Sequence, residues 1–179
     1  MTGFVQTLWD LLPAALRPKP AAAPPRSVRA PAARVSRPRR GAGGAQARYD
    51  AIVSEMLARY GVRVRKWRKS MSGVAWELTY HDGRVKRLIE APKPKSPMSL
   101  AIFLHEIGHH AIGFNVYKPR CLEEYHAWAF AVRAMEERGL EVTDRVHTRM
   151  RKSLKYAGEK AVRRGIKKLP DEIVRFMHG

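Results

Sequence analysis

The sequence predicts an α+β domain, a small antiparallel or mixed sheet packed on helices, and three observations carry that prediction. Apolar residues recur at helical spacing in several separate segments, three short runs between residues 62 and 90 have the composition of strands, and Gly or Pro marks most of the junctions. With 179 residues, 45% of them hydrophobic, the chain can build one core and carry extensions.

The first element to justify is a helix beginning near Gln46, where Ile52, Val53, Met56, Leu57 and Tyr60 share a face and Gly61 ends the run. Three strands follow. Val62 to Arg68 alternates apolar with basic residues, Val74 to Tyr80 is rich in β-formers, and Arg84 to Glu90 follows the turn His81-Asp82-Gly83. The last two should pair as an antiparallel hairpin. A proline-punctuated loop, Pro92 to Pro97, leads into a helix from Met98 to Ile112, with Ser96 or Ser99 as its cap and Gly113 as its stop. A further helix is expected from Cys121 to Arg138, ended by Gly139. The next is opened by Thr143 or Asp144 and carries the stripe Val146, Met150, Leu154, Ala157 and Ala161; a short last one starts at Pro170 and runs through Met177.

Ahead of the domain, Pro13 to Gly44 is dominated by Pro, Ala, Arg and Gly without an acidic residue, the composition of a disordered basic linker. Phe4, Val5, Leu8, Trp9, Leu12 and Leu16 would form one apolar stripe in front of it, either a docking helix or an ordinary terminus. The expected organisation is therefore residues 1–45 as amphipathic segment and linker, 46–140 as the folded domain, and 141–179 as a basic helical extension packed on it.

Thirty-five Lys and Arg against sixteen Asp and Glu give a formal charge of +19, enough to attract nucleic acid, anionic lipid or acidic protein without specificity. No run approaches the roughly 18 to 20 apolar residues of a membrane span. Met1 to Leu16 lacks the charged start and cleavage site of a secretory signal, so a cytoplasmic location is expected. Cys121 is the only cysteine, which excludes a disulfide framework within the chain and any thiolate-rich metal cluster. Metal binding must use His and carboxylates.

The segment His105-Glu106-Ile107-Gly108-His109 offers such chemistry. Two histidines four apart project from one helix face and can share a metal, and a catalytic zinc takes three protein ligands with one position left open. Water bound there ionises near pH 7, and Glu106 is placed to take its proton. The flanks Leu100, Ala101, Phe103, Leu104, Ile107 and Ala111 make this helix almost wholly apolar, a setting in which His and Glu without partners would be costly. The third ligand must lie downstream. Ile112 and Asn115 occupy the places of the metzincin glycine and third histidine, so that pattern is absent. The helix from Cys121 offers Glu123 and Glu124 instead; Glu124 shares a face with Ala127, Trp128, Ala131 and Met135, whereas the line through Glu123 drifts toward His126, Arg133 and Glu137.

His-Glu-Ile-Gly-His, followed by a helix with Glu124, Ala127, Phe130 and Ala131, resembles the glutamate-ligand zincins, in particular the ImmA/IrrE-like metallopeptidases of bacteria, phages and mobile elements. Over residues 46 to 140 the resemblance implies a minimal zincin-like fold, one catalytic Zn2+ on His105, His109 and Glu124, and Glu106 as base. It also implies a protein or peptide substrate, such as a regulatory protein in a phage or mobile-element context. Trp128 stands where related zincins often carry Asp or Asn to orient a ligand histidine, so another residue must do that job.

His126, Tyr125 and Tyr117 are weaker candidates, as alternative ligand or donors to an oxyanion, and His110 is expected in a polar or solvent-facing role. The strand Arg84 to Glu90 is expected near the cleft, where an extended peptide could pair with its edge. The basic linker and C-terminal helices could contact nucleic acid non-specifically. The competing function is a nucleic-acid-associated or scaffold protein with a structural or vestigial zinc site.

Overall fold

The computed structural model describes residues 42–178, so the apolar stripe Phe4 to Leu16 and almost all of the basic linker lie outside the described residues. The order of elements is α1 (Ala42–Tyr60), β1 (Val62–Arg68), β2 (Val74–Thr79), β3 (Val85–Pro92), α2 (Pro97–Ile112), α3 (Arg120–Glu136), α4 (Asp144–Arg163) and α5 (Asp171–Met177). Among the described residues, five helices and a three-stranded mixed sheet make an α+β fold. None of these helices is long and apolar enough to cross a membrane.

Helix α1 starts four residues earlier than its apolar pattern does, taking in Gly43 and Gly44. Its first turn is tied down by tertiary contact, since Gln46 Nε2 donates to the Pro94 carbonyl at 3.0 Å. Ile52 and Met56 are buried in the core, and Gly61, with φ 61°, turns the chain directly into β1.

The sheet order is β1-β3-β2, with β3 parallel to β1 and antiparallel to β2. The hairpin of β2 and β3 follows from the Asp82-Gly83 turn, but β3 is the central strand. An extended peptide cannot pair with its edge, contrary to the expectation from sequence, because β1 and β2 already occupy both of its hydrogen-bonding sides. Among the described residues the free edges belong to β1 and β2. This topology also forces residues 69–73 to cross the end of β3 where that strand leaves the sheet. Glu90 anchors the crossing: it accepts from Arg65 Nη1 at 2.7 Å and Arg68 Nε at 3.0 Å, and Arg68 Nη1 donates to Ser72 Oγ at 3.2 Å.

The last residues of β3, Leu88 to Pro92, are buried beneath α2. A reciprocal capping box starts α2: Ser96 Oγ accepts from the Ser99 backbone N–H at 3.3 Å, and Ser99 Oγ accepts from the Ser96 N–H at 3.0 Å. From Ser99 to His110 every residue of α2 is buried, because β3 and β2 cover one side and α3 the other. Helix α3 is as enclosed, with α2 on one flank and α4 and α5 on the other. One continuous core runs from Ile52 through Leu104, Ile107 and Met135 to Leu154 and Ile173, so the basic C-terminal helices share the core of the domain on which they pack.

The two central helices meet at Gly108. A Cβ there would stand 2.7 Å from the carbonyl oxygen and 3.1 Å from the Cα of Ala127. Glycine costs a helix interior about 1 kcal/mol relative to alanine, so Gly108→Ala would ordinarily stabilise. Here the obstacle is backbone and cannot rotate away, and overpacking of this kind costs about 1–3 kcal/mol. We expect Gly108→Ala to lower the thermal unfolding midpoint; an unchanged or raised midpoint would show that the helices do not make this approach.

Candidate metal centre

The α2–α3 crossing places the functional side chains. His105 and His109, one turn apart on α2, have ring centroids 4.8 Å apart, and their Nε2 atoms lie 3.4 and 3.8 Å from Glu124 Oε2 on α3. One donor atom from each of the three residues falls within 4.8 Å of the others, a cluster that could hold a metal ion. Both histidines are buried and Glu124 is half-buried. Two imidazole nitrogens and one carboxylate oxygen are a donor set suited to zinc and to neighbouring first-row metals.

What fixes His109 is Glu123, which the sequence pattern had placed on an outward-drifting line. It is only 1% exposed. Its Oε1 lies 3.1 Å from His109 Nδ1 and its Oε2 accepts from the Asn115 backbone N–H at 3.0 Å. Burial works against the charge of Glu123, but the hydrogen bonds from His109 and Asn115 and the nearby Arg120 outweigh it and hold the carboxyl below its usual range. An ionised carboxylate only accepts, so His109 Nδ1 donates to Glu123, and this hydrogen bond aims the Nε2 edge of the ring at Glu124. The donor at Asn115 depends on a left-handed backbone, φ 61°, in the short turn between the helices. Glu123 thus performs the orienting job that Trp128 cannot. The outward expectation failed because the line through Glu123 is covered by α2 and the turn at Asn115, while the wetter side of α3 is the one carrying Arg120 and Glu124.

Trp128 holds His105 differently, stacking on its ring at 4.5 Å between centroids and 27° between planes. His105 Nδ1 has no hydrogen-bond partner among the described residues. One imidazole is therefore oriented by a carboxylate and the other by an aromatic face.

Glu106, 5% exposed, lies against the loop that crosses β3. A Cβ on Gly73 would meet the Glu106 side chain, so a larger residue there would have to push this carboxyl from its place. Burial pushes the Glu106 carboxyl up to about 8, with His109 pulling it down and Glu124 pushing it further up. A cation at the cluster would draw it back toward the ionised form. For Glu124 burial again raises the pKa, but the hydrogen bond and charge of His105, followed by His109 and Arg120, prevail and hold it at about 2. Arg120 Nε sits 3.4 Å from Glu124 and 3.6 Å from Glu123, one cation serving two adjacent carboxylates.

His105, Glu106 and Glu124 open onto a cleft of about 690 Å³ between α2, α3, α4 and the loop carrying Ser72 and Gly73. The weaker candidates do not reach it. Tyr125 is fully buried and its hydroxyl accepts from Arg175 Nη2 at 2.7 Å, joining α3 to α5. His126 stacks on Tyr117 with centroids 3.8 Å apart, and neither joins the cluster. His110 is buried rather than solvent-facing: its Nε2 donates to the Leu88 carbonyl at 3.1 Å and ties α2 to the sheet. Burial holds His110 and His126 below the usual histidine range.

No family model, curated protein or solved structure matches the chain.

Removing Glu123 would leave the His109 Nδ1 proton and the Asn115 N–H without their acceptor. Loss of such an outer partner typically lowers metal affinity about 10–100-fold. Glu123→Ala is expected to show that drop in competition with a chelating dye, with Asp144→Ala as a control at the start of α4. Equal affinities for both variants would mean that Glu123 does not orient the site.

Proposed function

We propose that this chain is a zinc-dependent metallopeptidase of the zincin type, similar to the ImmA/IrrE-like enzymes, and that it hydrolyses a peptide bond in a protein substrate. The observation that carries the proposal is the convergence of His105 Nε2, His109 Nε2 and a Glu124 oxygen at a cleft also lined by the Glu106 carboxyl. Structural zinc sites are closed by four protein ligands. Three ligands at a cleft favour catalysis over a purely structural site.

A zinc ion held by the three residues would supply Lewis acidity toward the scissile carbonyl and lower the pKa of water to about 7. The chain's own residues do the rest. Glu106 takes a proton from the attacking water and delivers it to the departing amine, the general-base and general-acid roles of one carboxylate. Gly73 and its loop hold Glu106 away from bulk water, and Glu123 and Trp128 hold the two imidazoles in orientation. The free edge of β2 begins directly after Gly73, beside Glu106, and offers backbone groups to an extended peptide in the role first expected of β3. The resemblance extends the proposal to a regulatory protein substrate in a phage or mobile-element setting.

Glu106→Gln removes the proton acceptor with little change of shape. On a library of proteome-derived peptides read by mass spectrometry, we expect the variant to keep its zinc and lose cleavage by at least about 100-fold, the usual scale of general acid–base catalysis. Undiminished cleavage would remove Glu106 from the reaction. An intact zinc site with no cleavage by the unsubstituted protein would favour the scaffold function.

A further inference from the structure

Helix α4 has two neighbouring stripes, roughly a quarter turn apart, and one of them, continued by Arg164 just past the helix end, forms the cleft wall on the far side from the histidines. Val146, Met150, Leu154 and Ala161 turn into the core. Arg149, Ser153, Tyr156, Lys160 and Arg164, spaced by four, three, four and four, line the cleft instead. Arg120 adds a further cation from α3. Among the described residues the only acidic side chains on the lining are Glu106 and Glu124, which belong to the candidate metal centre. Glu159, on α4 itself, is off this wall and pairs with Arg163 at 4.0 Å.

Two cations of the wall are not consumed by the fold. Arg149 Nη2 donates to the Met71 carbonyl at 3.2 Å, bridging α4 to the loop over Glu106. Lys160 and Arg164 have no salt bridge among the described residues, and both are exposed. Like charges lining a concave surface focus a positive potential into it and raise the local concentration of an anionic ligand. The dimensions and lining favour a peptide over a nucleic acid. A volume of about 690 Å³ is that of a pocket for a small ligand or a few residues of extended chain, too small for a duplex. Single-stranded nucleic acid is held by a series of exposed aromatic platforms, and this wall offers Tyr156 alone, the Trp128 face being stacked on His105. Ala157 and Ile166, both half-buried, leave apolar surface beside the charges, as peptide side chains require.

We infer that the cleft selects substrates with an acidic segment beside the bond to be cleaved, whose Asp and Glu side chains pair with Lys160 and Arg164. This rests on the proposed peptidase function for the word substrate; the binding preference itself stands on the cleft. The test uses the purified full chain carrying Glu106→Gln and fluorescence anisotropy with three labelled probes at about 0.15 M salt, where distant charges are screened. The probes are a peptide of alternating Glu and Ala, the same peptide with Gln for Glu, and an oligothymidylate of equal charge. The acidic peptide should bind about tenfold tighter than its Gln analogue and tighter than the oligothymidylate. Lys160→Ala with Arg164→Ala should erase that preference, while Arg151→Ala with Lys152→Ala, the same loss of charge on α4 outside the cleft, should leave it. Because all four positions are exposed, the melting curves should stay unchanged. No preference for the acidic peptide, or equal losses from both double variants, would overturn the inference. So would tighter oligothymidylate binding lost only with Lys160 and Arg164, which would make the wall a nucleic-acid site. An intact acidic preference in a protein that holds no zinc would support the inference and remove the metallopeptidase function.

Discussion

The close crossing of α2 and α3 at Gly108 and Ala127 is the constraint on which the rest of the structure depends. Without a side chain at position 108 the two backbones approach until a Cβ would clash at 2.7 Å, and this separation lets Glu123 and Glu124 reach His109 and His105 across the gap. The same approach encloses both helices. Once α2 occupies one flank of α3, the opposite flank, with Tyr125, Val132 and Met135, needs cover of its own. Helices α4 and α5 supply it through Leu154 and Ile173, which explains why so basic a C-terminal segment belongs to the core.

Gathering three carboxyls at the crossing of α2 and α3 is costly unless each has partners. Glu123 is satisfied by His109 and the Asn115 N–H, and Glu124 by the two imidazoles and Arg120. Glu106 has the weakest support, and burial raises its carboxyl to about 8. A cation placed beside it would lower its affinity for a proton, which suits the proposed part of Glu106 in proton transfer. The sheet contributes by topology. Because β1 pairs with β3 and not with β2, residues 69–73 cross the sheet end, and Gly73 is delivered against Glu106.

Much of this could be read from the residues in order. Ser96, Gly61 and Gly113 mark boundaries by local chemistry, and the stripes of α1 and α4 are visible because each of these helices has one apolar and one wet face. The common face of His105 and His109 was legible from their spacing on one helix, and Glu124 from the face it shares with Trp128 and Ala131 together with the zincin resemblance. Tertiary pairing was hidden. Nothing within Val62 to Arg68 says that it lies parallel beside β3, and nothing near Tyr125 says that its hydroxyl meets Arg175, fifty residues on. Glu123 was misplaced because α3 is covered on more than one side. From Tyr125 to Met135 the only strongly polar residues are His126 and Arg133, a composition that signals such a helix.

The central claim is that His105, His109 and Glu124 form one metal site, and elemental analysis of the purified protein tests it most directly. About one zinc per chain is expected, falling to a small fraction in His105→Ala and in Glu124→Ala while the helical circular dichroism of each variant persists. A folded protein with no stoichiometric metal, or with zinc retained in full by both variants, would contradict the claim.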